Sequence, residues 1–204
     1  MPELLADLAG RRAREDRDRP FCYFDDQVVT FGDADAAATR LANGLASSGI
    51  APGDRVAVML PSHPDHIYTL LALARLGAIH VPLNTHHKSD GIRHVLQHAE
   101  VSAVVADARF DALTAPAGPL SHGQRENRMG RSSMETSELR SVWRGGIPDL
   151  PGAHPVSFEQ LLVAGSTNPV KTARAPGDSL AVASSIDCAT NVRSGSCSID
   201  ALSS

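Results

Sequence analysis

Several features that would assign this chain to a class of protein are scarce or absent. The formal net charge is −4, so the chain lacks the basic excess that binding to nucleic acid or an anionic lipid surface requires. The three cysteines, Cys22, Cys188 and Cys197, are scattered and form no Cys-x-x-Cys pair. That spacing excludes a disulfide framework and favours a reducing compartment. We therefore expect no nucleic-acid partner and a cytoplasmic location.

Long hydrophobic runs are also missing. The most apolar stretch, 67–83, is interrupted by Arg75, Gly77 and His80, and falls short of the roughly 20 apolar residues that a membrane span needs. The N-terminal segment carries acidic residues from Glu3 onward and has no long apolar core, so we expect no signal peptide. No Gly-x-Gly-x-x-Gly follows a predicted strand and no Gly-x-Ser-x-Gly occurs, which argues against a dinucleotide-binding oxidoreductase and an α/β-hydrolase.

The composition that remains, 42% hydrophobic and 21% charged over 204 residues, is typical of a globular domain with a real core. Residues 2–14 fit a short amphipathic helix. Two short β-branched or aromatic runs, 21–24 and 28–31, flank Asp25 and Asp26, which predicts an antiparallel hairpin turned by aspartate.

From Asp33 the apolar period changes from two to 3.6, which predicts a helix over 33–48 closed by Gly49. Three apolar runs then alternate with helices that begin near Ser62 or His63 and near Ser89 or Asp90; the runs are 55–61, 78–83 and 101–107. Alternating strands and helices predict an α/β fold, with a mainly parallel sheet and flanking helices. The predicted core residues are Val56, Val58, Leu60, Leu70, Leu71, Val81, Val104 and Val105.

The periodicity divides the chain into four parts. Residues 1–113 read as an α/β subdomain, and 114–155, rich in Gly, Ser, Arg and Glu, as a loop or disordered insert. Residues 156–183 read as a short strand, helix and strand, the last over 178–184. The remaining stretch, 184–204, is rich in Ser and shows no period, so we expect no packed structure there.

The order of several short motifs resembles one family. Gly53-Asp54-Arg55-Val56-Ala57 is followed by Leu60-Pro61-Ser62, then by Leu76-Gly77-Ala78 and Val81-Pro82-Leu83-Asn84. In this order and spacing they resemble the opening of AMP-forming acyl-CoA synthetases of the AMP-binding superfamily. The resemblance implies that the chain is a partial N-terminal subdomain of the adenylate-forming enzyme fold.

The resemblance also implies a chemistry. Intact relatives convert a small carboxylic acid and ATP to an acyl-adenylate and pyrophosphate, with Mg²⁺, and then form a thioester with coenzyme A. Their phosphate loop, approximately Thr-Ser-Gly-Thr-Thr-Gly-x-Pro-Lys-Gly, follows a strand that resembles 178–184. Here SSIDCATNVRSGSC stands in that place, without Lys or paired glycines. We therefore assign no catalytic, cofactor-binding or metal residue, and expect no cofactor in this chain.

Two weaker patterns have ordinary alternatives. The stretch from Gly165 to Lys171 resembles a degraded phosphate loop, but Asn168 and Thr172 replace its glycines and it precedes the strand it should follow, so a polar loop is the simpler interpretation. His94 and His98 share a helix face, with His86 and His87 upstream. A zinc site needs three or four ligands. Here no Glu stands at the second position to act as a base and no partner cysteine lies nearby, so solvent-exposed histidines are the simpler interpretation.

Three functions are then open. The first is a truncated or frame-disrupted acyl-CoA synthetase, inactive as it stands and of unknown acyl substrate and oligomeric state. The second is a non-catalytic α/β module that binds a partner or a small acyl ligand. An ordered surface within 114–204 would favour the second, and composition argues against one. The third, a Rossmann-like cofactor binder, is disfavoured by the missing glycine motif.

Overall fold

The computed structural model describes residues 5–86, 89–110, 140–147 and 155–169. In chain order the helices are α1 (Leu5–Glu15), α2 (Phe31–Ser47), α3 (Pro64–Leu76), α4 (Ser89–His98) and α5 (Phe158–Ala164), with a short 3₁₀ turn at Ala108–Phe110. The strands are β1 (Pro20–Phe24), β2 (Gln27–Thr30), β3 (Arg55–Met59), β4 (Ile79–Pro82), β5 (Ala103–Asp107), β6 (Arg140–Arg144) and β7 (Val156–Ser157).

Strands β3 to β7 form one parallel sheet in the order β4-β3-β5-β6-β7, while β1 and β2 form a separate antiparallel hairpin. Helix α3 connects β3 to β4 and packs on one face of the sheet, and α4 connects β4 to β5 and packs on the other. The sheet is therefore doubly wound. The prediction of an α/β fold with a mainly parallel sheet and flanking helices is confirmed.

The sheet is buried on both faces, as parallel sheets are. Val56 and Val58 on β3 face α2, α3 and α5, whereas Ala57 and Met59 on the same strand face α4. All four are fully buried. Because burying one such aliphatic side chain stabilises the fold by roughly 1.5–3 kcal/mol, the unbroken apolar run of β3 fixes it at the centre of the sheet.

The ends of α2 and α3 are set by capping residues close to them in the sequence. Thr30 caps α2 through a capping box, in which its hydroxyl accepts from the backbone N–H of Asp33 and the Asp33 carboxylate accepts from the backbone N–H of Thr30. Helix α3 begins at Pro64, whose missing N–H is harmless there, and ends at Gly77 in the left-handed conformation. These signals are local, and the helix positions predicted from them are confirmed to within two or three residues.

Two predictions need correction. Strand β6 lies within 114–155, which was expected to be a loop or a disordered insert; residues 140–144 instead pair along the whole of β5. Leu70 was expected in the core but is only half-buried, because its side of α3 faces α1 and the hairpin rather than the sheet. The other seven predicted core residues are buried. The predicted strand at 178–184 and the tail 184–204 lie outside the described residues, and the four segment boundaries stay predictions.

Candidate functional site

The carboxyl edge of the parallel sheet is where an open α/β fold holds its ligands, at the point where the strand order reverses. Here the reversal lies at β3, because the chain runs from β3 outward to β4 and then returns to β5 on the other side. Three charged residues mark this edge. Asp65 lies in the first turn of α3, after β3; Asp107 ends β5 and Arg144 ends β6.

Arg144 joins the two carboxylates. Its Nε donates to Oδ2 of Asp65 at 2.5 Å, and its Nη1 donates to Oδ2 of Asp107 at 2.8 Å. The side chains of Arg144, Asp65 and Asp107 are 20%, 12% and 5% exposed. Breaking such a mostly buried pair leaves an uncompensated charge, so the bridge ties α3, β5 and β6 together.

Two further groups complete the cluster. Arg109 donates from its backbone N–H and its Nε to Oδ1 of Asp107, at 3.1 Å and 2.8 Å. Glu159 on α5 accepts from the backbone N–H of Gly145 at 2.7 Å and from the hydroxyl of Ser157 at 2.9 Å. We call Asp65, Asp107, Arg109, Arg144 and Glu159 the carboxyl-edge cluster.

Hydrogen bonds within the cluster keep the carboxylates of Asp107 and Glu159 ionised. Burial alone would raise the pKa of Asp107, but hydrogen bonds from the Arg109 backbone and from the Arg144 and Arg109 side chains hold it below its ordinary value. The pKa of Glu159 is lowered in the same way, against the effect of burial, chiefly by hydrogen bonds from the backbone of Gly145 and from its own backbone. A carboxylate with a depressed pKa is a poor general acid, so this cluster is suited to holding structure rather than to moving protons.

The cluster does not fit a magnesium ion, the metal that the resemblance implies. A Mg²⁺ site needs carboxylate oxygens free to face the metal. Both oxygens of Asp107 are already taken by arginine donors, and both oxygens of Glu159 accept hydrogen bonds. Within the described ranges, no three His, Cys, Asp or Glu side chains come together in an arrangement able to hold a metal ion.

A small cavity of about 360 Å³ lies beside the carboxyl edge, between the hairpin and the start of α3. It is lined by Cys22, Tyr23, Phe24, Ser62, His63, Pro64, His66 and Ile67. A second cavity of about 510 Å³ lies between α1, the hairpin and α3, and its walls are almost wholly apolar. His63 links the first cavity to the cluster, since its Nδ1 lies 2.9 Å from Oδ2 of Asp65 and its ring packs edge-on against Phe24.

His80 is the least satisfied polar side chain in the core. It is 4% exposed on β4, and neither ring nitrogen has a hydrogen-bond partner among the residues that the structure describes. Burial lowers the pKa of His80 to about 4, and the neighbouring ring of His66, 5.7 Å away between centroids, adds to that shift. His80 is therefore neutral at physiological pH.

Of the residues singled out from the sequence, the described part of the chain brings only His94 and His98 together, with ring centroids 5.7 Å apart. The stretch that begins at Gly165 packs on α2, where the side-chain amide of Asn43 donates to the carbonyl oxygens of Ser166 and Asn168 at 2.7 Å and 2.8 Å. It behaves as an ordinary polar loop as far as Pro169, and Lys171 lies outside the described residues. His94 and His98 are exposed on α4. Cys188 and Cys197 also lie outside the described residues.

The carboxyl-edge cluster was missed from the sequence. Asp65 and Arg144 are 79 residues apart, and Asp107 and Arg144 are 37 apart, so no local spacing reveals them. One signal was present: Asp107 directly follows the buried run of β5, and a charge in that position lies at the carboxyl edge of a parallel sheet.

No helix in the described part of the chain is both long and apolar enough to cross a membrane. Two curated relatives are similar over half of the chain. A medium/long-chain-fatty-acid–CoA ligase of Mycobacterium tuberculosis is 36% identical over 107 residues, which is 52% of this chain and 18% of that protein. A feruloyl-CoA synthase of an Amycolatopsis species is 36% identical over 122 residues, which is 54% of this chain and 24% of that protein. The matches thus span about a fifth to a quarter of the relatives' length.

A solved structure shows that the fold is similar as well as the sequence. The crystal structure of a long-chain-fatty-acid CoA ligase from Rhodopseudomonas palustris superposes with a TM-score of 0.68 at 29% identity, covering 88% of this chain and 40% of that one. The sequence profile described as AMP-binding enzyme matches residues 10–179. That match covers most of the chain and includes the sheet, its helices and the carboxyl-edge cluster. The chain belongs to the AMP-binding enzyme family.

Proposed function

We propose that this chain supplies the N-terminal scaffold of an AMP-forming acyl-CoA ligase. In the proposed reaction of the intact enzyme, a carboxylate attacks the α-phosphate of ATP to give an acyl-adenylate and pyrophosphate. Coenzyme A then displaces AMP to give the thioester. The observation that carries the proposal is the family match over residues 10–179, which covers every strand of the parallel sheet.

The contribution of the described residues is positional. Within the carboxyl-edge cluster, arginine donors hold Asp107 ionised and a backbone donor helps to hold Glu159 ionised. Such a cluster fixes the ends of β5 and β6 relative to α3 and α5. A rigid sheet edge of this kind is what a neighbouring catalytic segment needs, because a misplacement of about 1 Å can lower a rate by about 10²-fold.

The 204 residues by themselves should not form acyl-adenylates. Residues 184–197 lack the Lys and the paired glycines that a phosphate-binding loop needs for close backbone approach and charge compensation. Losing one positioned donor to transition-state charge already lowers a rate by about 10²–10³-fold. ATP, Mg²⁺ and coenzyme A belong to the intact enzyme in this proposal, whose location is cytoplasmic and whose acyl substrate is open.

Two experiments test the proposal separately. In the first, carboxylate-dependent exchange of labelled pyrophosphate into ATP is measured for the whole chain with Mg²⁺, across short, medium and long fatty acids and ferulate. We expect no exchange above the blank. Exchange that is clearly above the blank and is lost on Lys171→Ala would make the segment 165–171 a working phosphate site and overturn the proposed inactivity.

The second experiment tests the scaffold role. The 107-residue segment that matches the M. tuberculosis ligase replaces its counterpart in that enzyme, and acyl-CoA formation is assayed. We expect a folded chimera that retains thioester formation. A second chimera carrying Val56→Asp, which places a charge at a fully buried position, serves as the unfolded reference. A folded chimera without activity would contradict the proposal.

A further inference from the structure

An exposed histidine pair on α4 is not used by the proposed function. His94 and His98 are four residues apart, one turn of the helix, and both are exposed. Their rings lie nearly parallel, with an interplanar angle of 12° and centroids 5.7 Å apart. Two imidazoles therefore stand side by side on the solvent face of one helix.

The core fixes the direction in which the pair points. Ile92, Val95, Leu96 and Ala99 are buried against the sheet on the opposite side of α4. The helix cannot rotate about its axis without exposing these side chains, so the backbone positions of the two histidines are held while their exposed rings remain free to turn. The backbone of α4 therefore holds the two histidines side by side before any ligand binds.

We propose that His94 and His98 form a two-ligand site for a divalent transition-metal ion, with water filling the remaining coordination positions. Neutral imidazole nitrogens are ligands that zinc, nickel and copper favour, at about 2.0–2.1 Å for zinc. The site differs from the closed zinc site considered from the sequence, because it needs no third protein ligand.

Two features of α4 favour a cation here: the carboxylate of Asp90 and the C-terminal end of the helix. Asp90 is exposed one turn before His94 on the same face of α4. His98 lies in the last turn, where the unpaired carbonyl oxygens of a helix favour positive charge. A hard cation such as Mg²⁺ prefers oxygen ligands and should not compete.

The test is titration of the whole chain with Zn²⁺ and with Ni²⁺ by isothermal calorimetry at neutral pH, with Mg²⁺ as the reference ion. Bringing the second imidazole to the ion intramolecularly raises affinity by about 10²-fold or more, so His94→Gln and His98→Gln should each weaken binding by about that factor. His86→Gln removes another exposed histidine and should leave binding unchanged.

A swap variant keeps composition and charge constant. Arg93→His combined with His94→Arg places the two imidazoles five residues apart, on different faces of α4, and should weaken binding as much as His94→Gln. Equal binding by the swap variant and the natural chain, or loss of binding in His86→Gln, would show an adventitious ion on other side chains and overturn the proposal.

Hydrogen exchange provides a second readout that does not depend on the variants' stability. Zn²⁺ should slow exchange of backbone amides in α4 of the unmodified chain, because an ion bridging two turns opposes fraying. Protection confined to α4 supports the site. Protection elsewhere, or none at saturating Zn²⁺, contradicts it.

Discussion

Arg144 at the end of β6 donates to Asp107 at the end of β5 with 2.8 Å between Nη1 and Oδ2, and the Asp107 side chain is only 5% exposed. The same guanidinium reaches Asp65 at the start of α3. One side chain thus connects a helix on one face of the sheet to two neighbouring strands. The free energy of unfolding should depend on it strongly.

Replacing Arg144 with Met tests this bridge. The substitution leaves the Asp65 and Asp107 carboxylates mostly buried without Arg144, and we expect unfolding to become easier by about 3 kcal/mol. Urea unfolding can be followed by the fluorescence of Trp143, the single tryptophan of the chain, which is 2% exposed. Arg11→Met is the matched control, because the Arg11–Glu15 pair is 40% and 52% exposed and such pairs contribute about 0–1 kcal/mol. Equal effects of the two substitutions would refute a special role for Arg144.

His80 should make the protein sensitive to acid. Its pKa is lowered from the ordinary value of 6.5 to about 4 in the folded chain, so the unfolded chain binds more protons between these two values. Stability is therefore full above pH 6.5 and falls as the pH drops toward 4. Between pH 7 and pH 5 the loss should be roughly 2 kcal/mol.

The variant His80→Leu removes this titrating group and should flatten the decline in unfolding free energy between pH 7 and pH 5. His66, whose pKa is also lowered chiefly by burial, contributes in the same direction and should leave a smaller residual slope. His86→Gln is the control, since that ring is exposed. An unchanged slope in His80→Leu would rule out His80 as the cause.

Two glycines should respond oppositely to alanine. A Cβ on Gly165 would lie 2.2 Å from the carbonyl oxygen of Arg40 on α2, and backbone cannot move aside as a side chain can. We expect Gly165→Ala to destabilise the protein by about 1–3 kcal/mol. A Cβ on Gly10, within α1, would lie 3.5 Å from Nη1 of Arg14, an ordinary van der Waals contact, so Gly10→Ala should stabilise the protein by roughly 0.5–1 kcal/mol. Thermal unfolding of both variants measures the difference, and an unchanged or raised melting temperature for Gly165→Ala would contradict the packing of α5 on α2.

The parts of the fold that could be predicted are those whose signal is local. The run of β3 is apolar on both faces, and α2 carries its own capping residues, so both can be recognised without knowing their neighbours. Strand β6 has no such signal. Its three buried residues lie between two arginines in a polar stretch, and they are buried only because β5 and β7 lie on either side.

The orientation of α3 shows a second limit of prediction from the sequence pattern. Ile67 and Leu70 are apolar and share a face with Leu71, so periodicity assigns all three to the core. In the structure both Ile67 and Leu70 line the apolar cavity beside α1, while Leu73 and Leu76 face the sheet. A helix with two apolar faces does not reveal which one meets the sheet. The carboxyl-edge cluster was unpredictable for a related reason, since its members come together only through tertiary structure.

The last prediction concerns Asn43, which holds the loop after α5 against α2. Its side-chain amide nitrogen donates to the carbonyl oxygens of Thr39, Ser166 and Asn168, at 3.1, 2.7 and 2.8 Å. Asn43→Asp keeps the shape of the side chain but replaces the donor with a carboxylate that faces three carbonyl oxygens. Asn43→Ala only removes the donor.

We therefore expect the aspartate variant to release the loop more than the alanine variant, although aspartate is closer in size to asparagine. A net hydrogen bond contributes about 0.5–1.5 kcal/mol, and repulsion between oxygens adds to its loss in the aspartate variant alone. Hydrogen exchange of the amides of 165–168 measures the release directly, with Ser47→Ala on the exposed end of α2 as the control. If side-chain volume held the loop, the order would reverse and the alanine variant would exchange faster. The order of the two variants therefore decides whether donor chemistry or packing anchors the chain where it leaves α5.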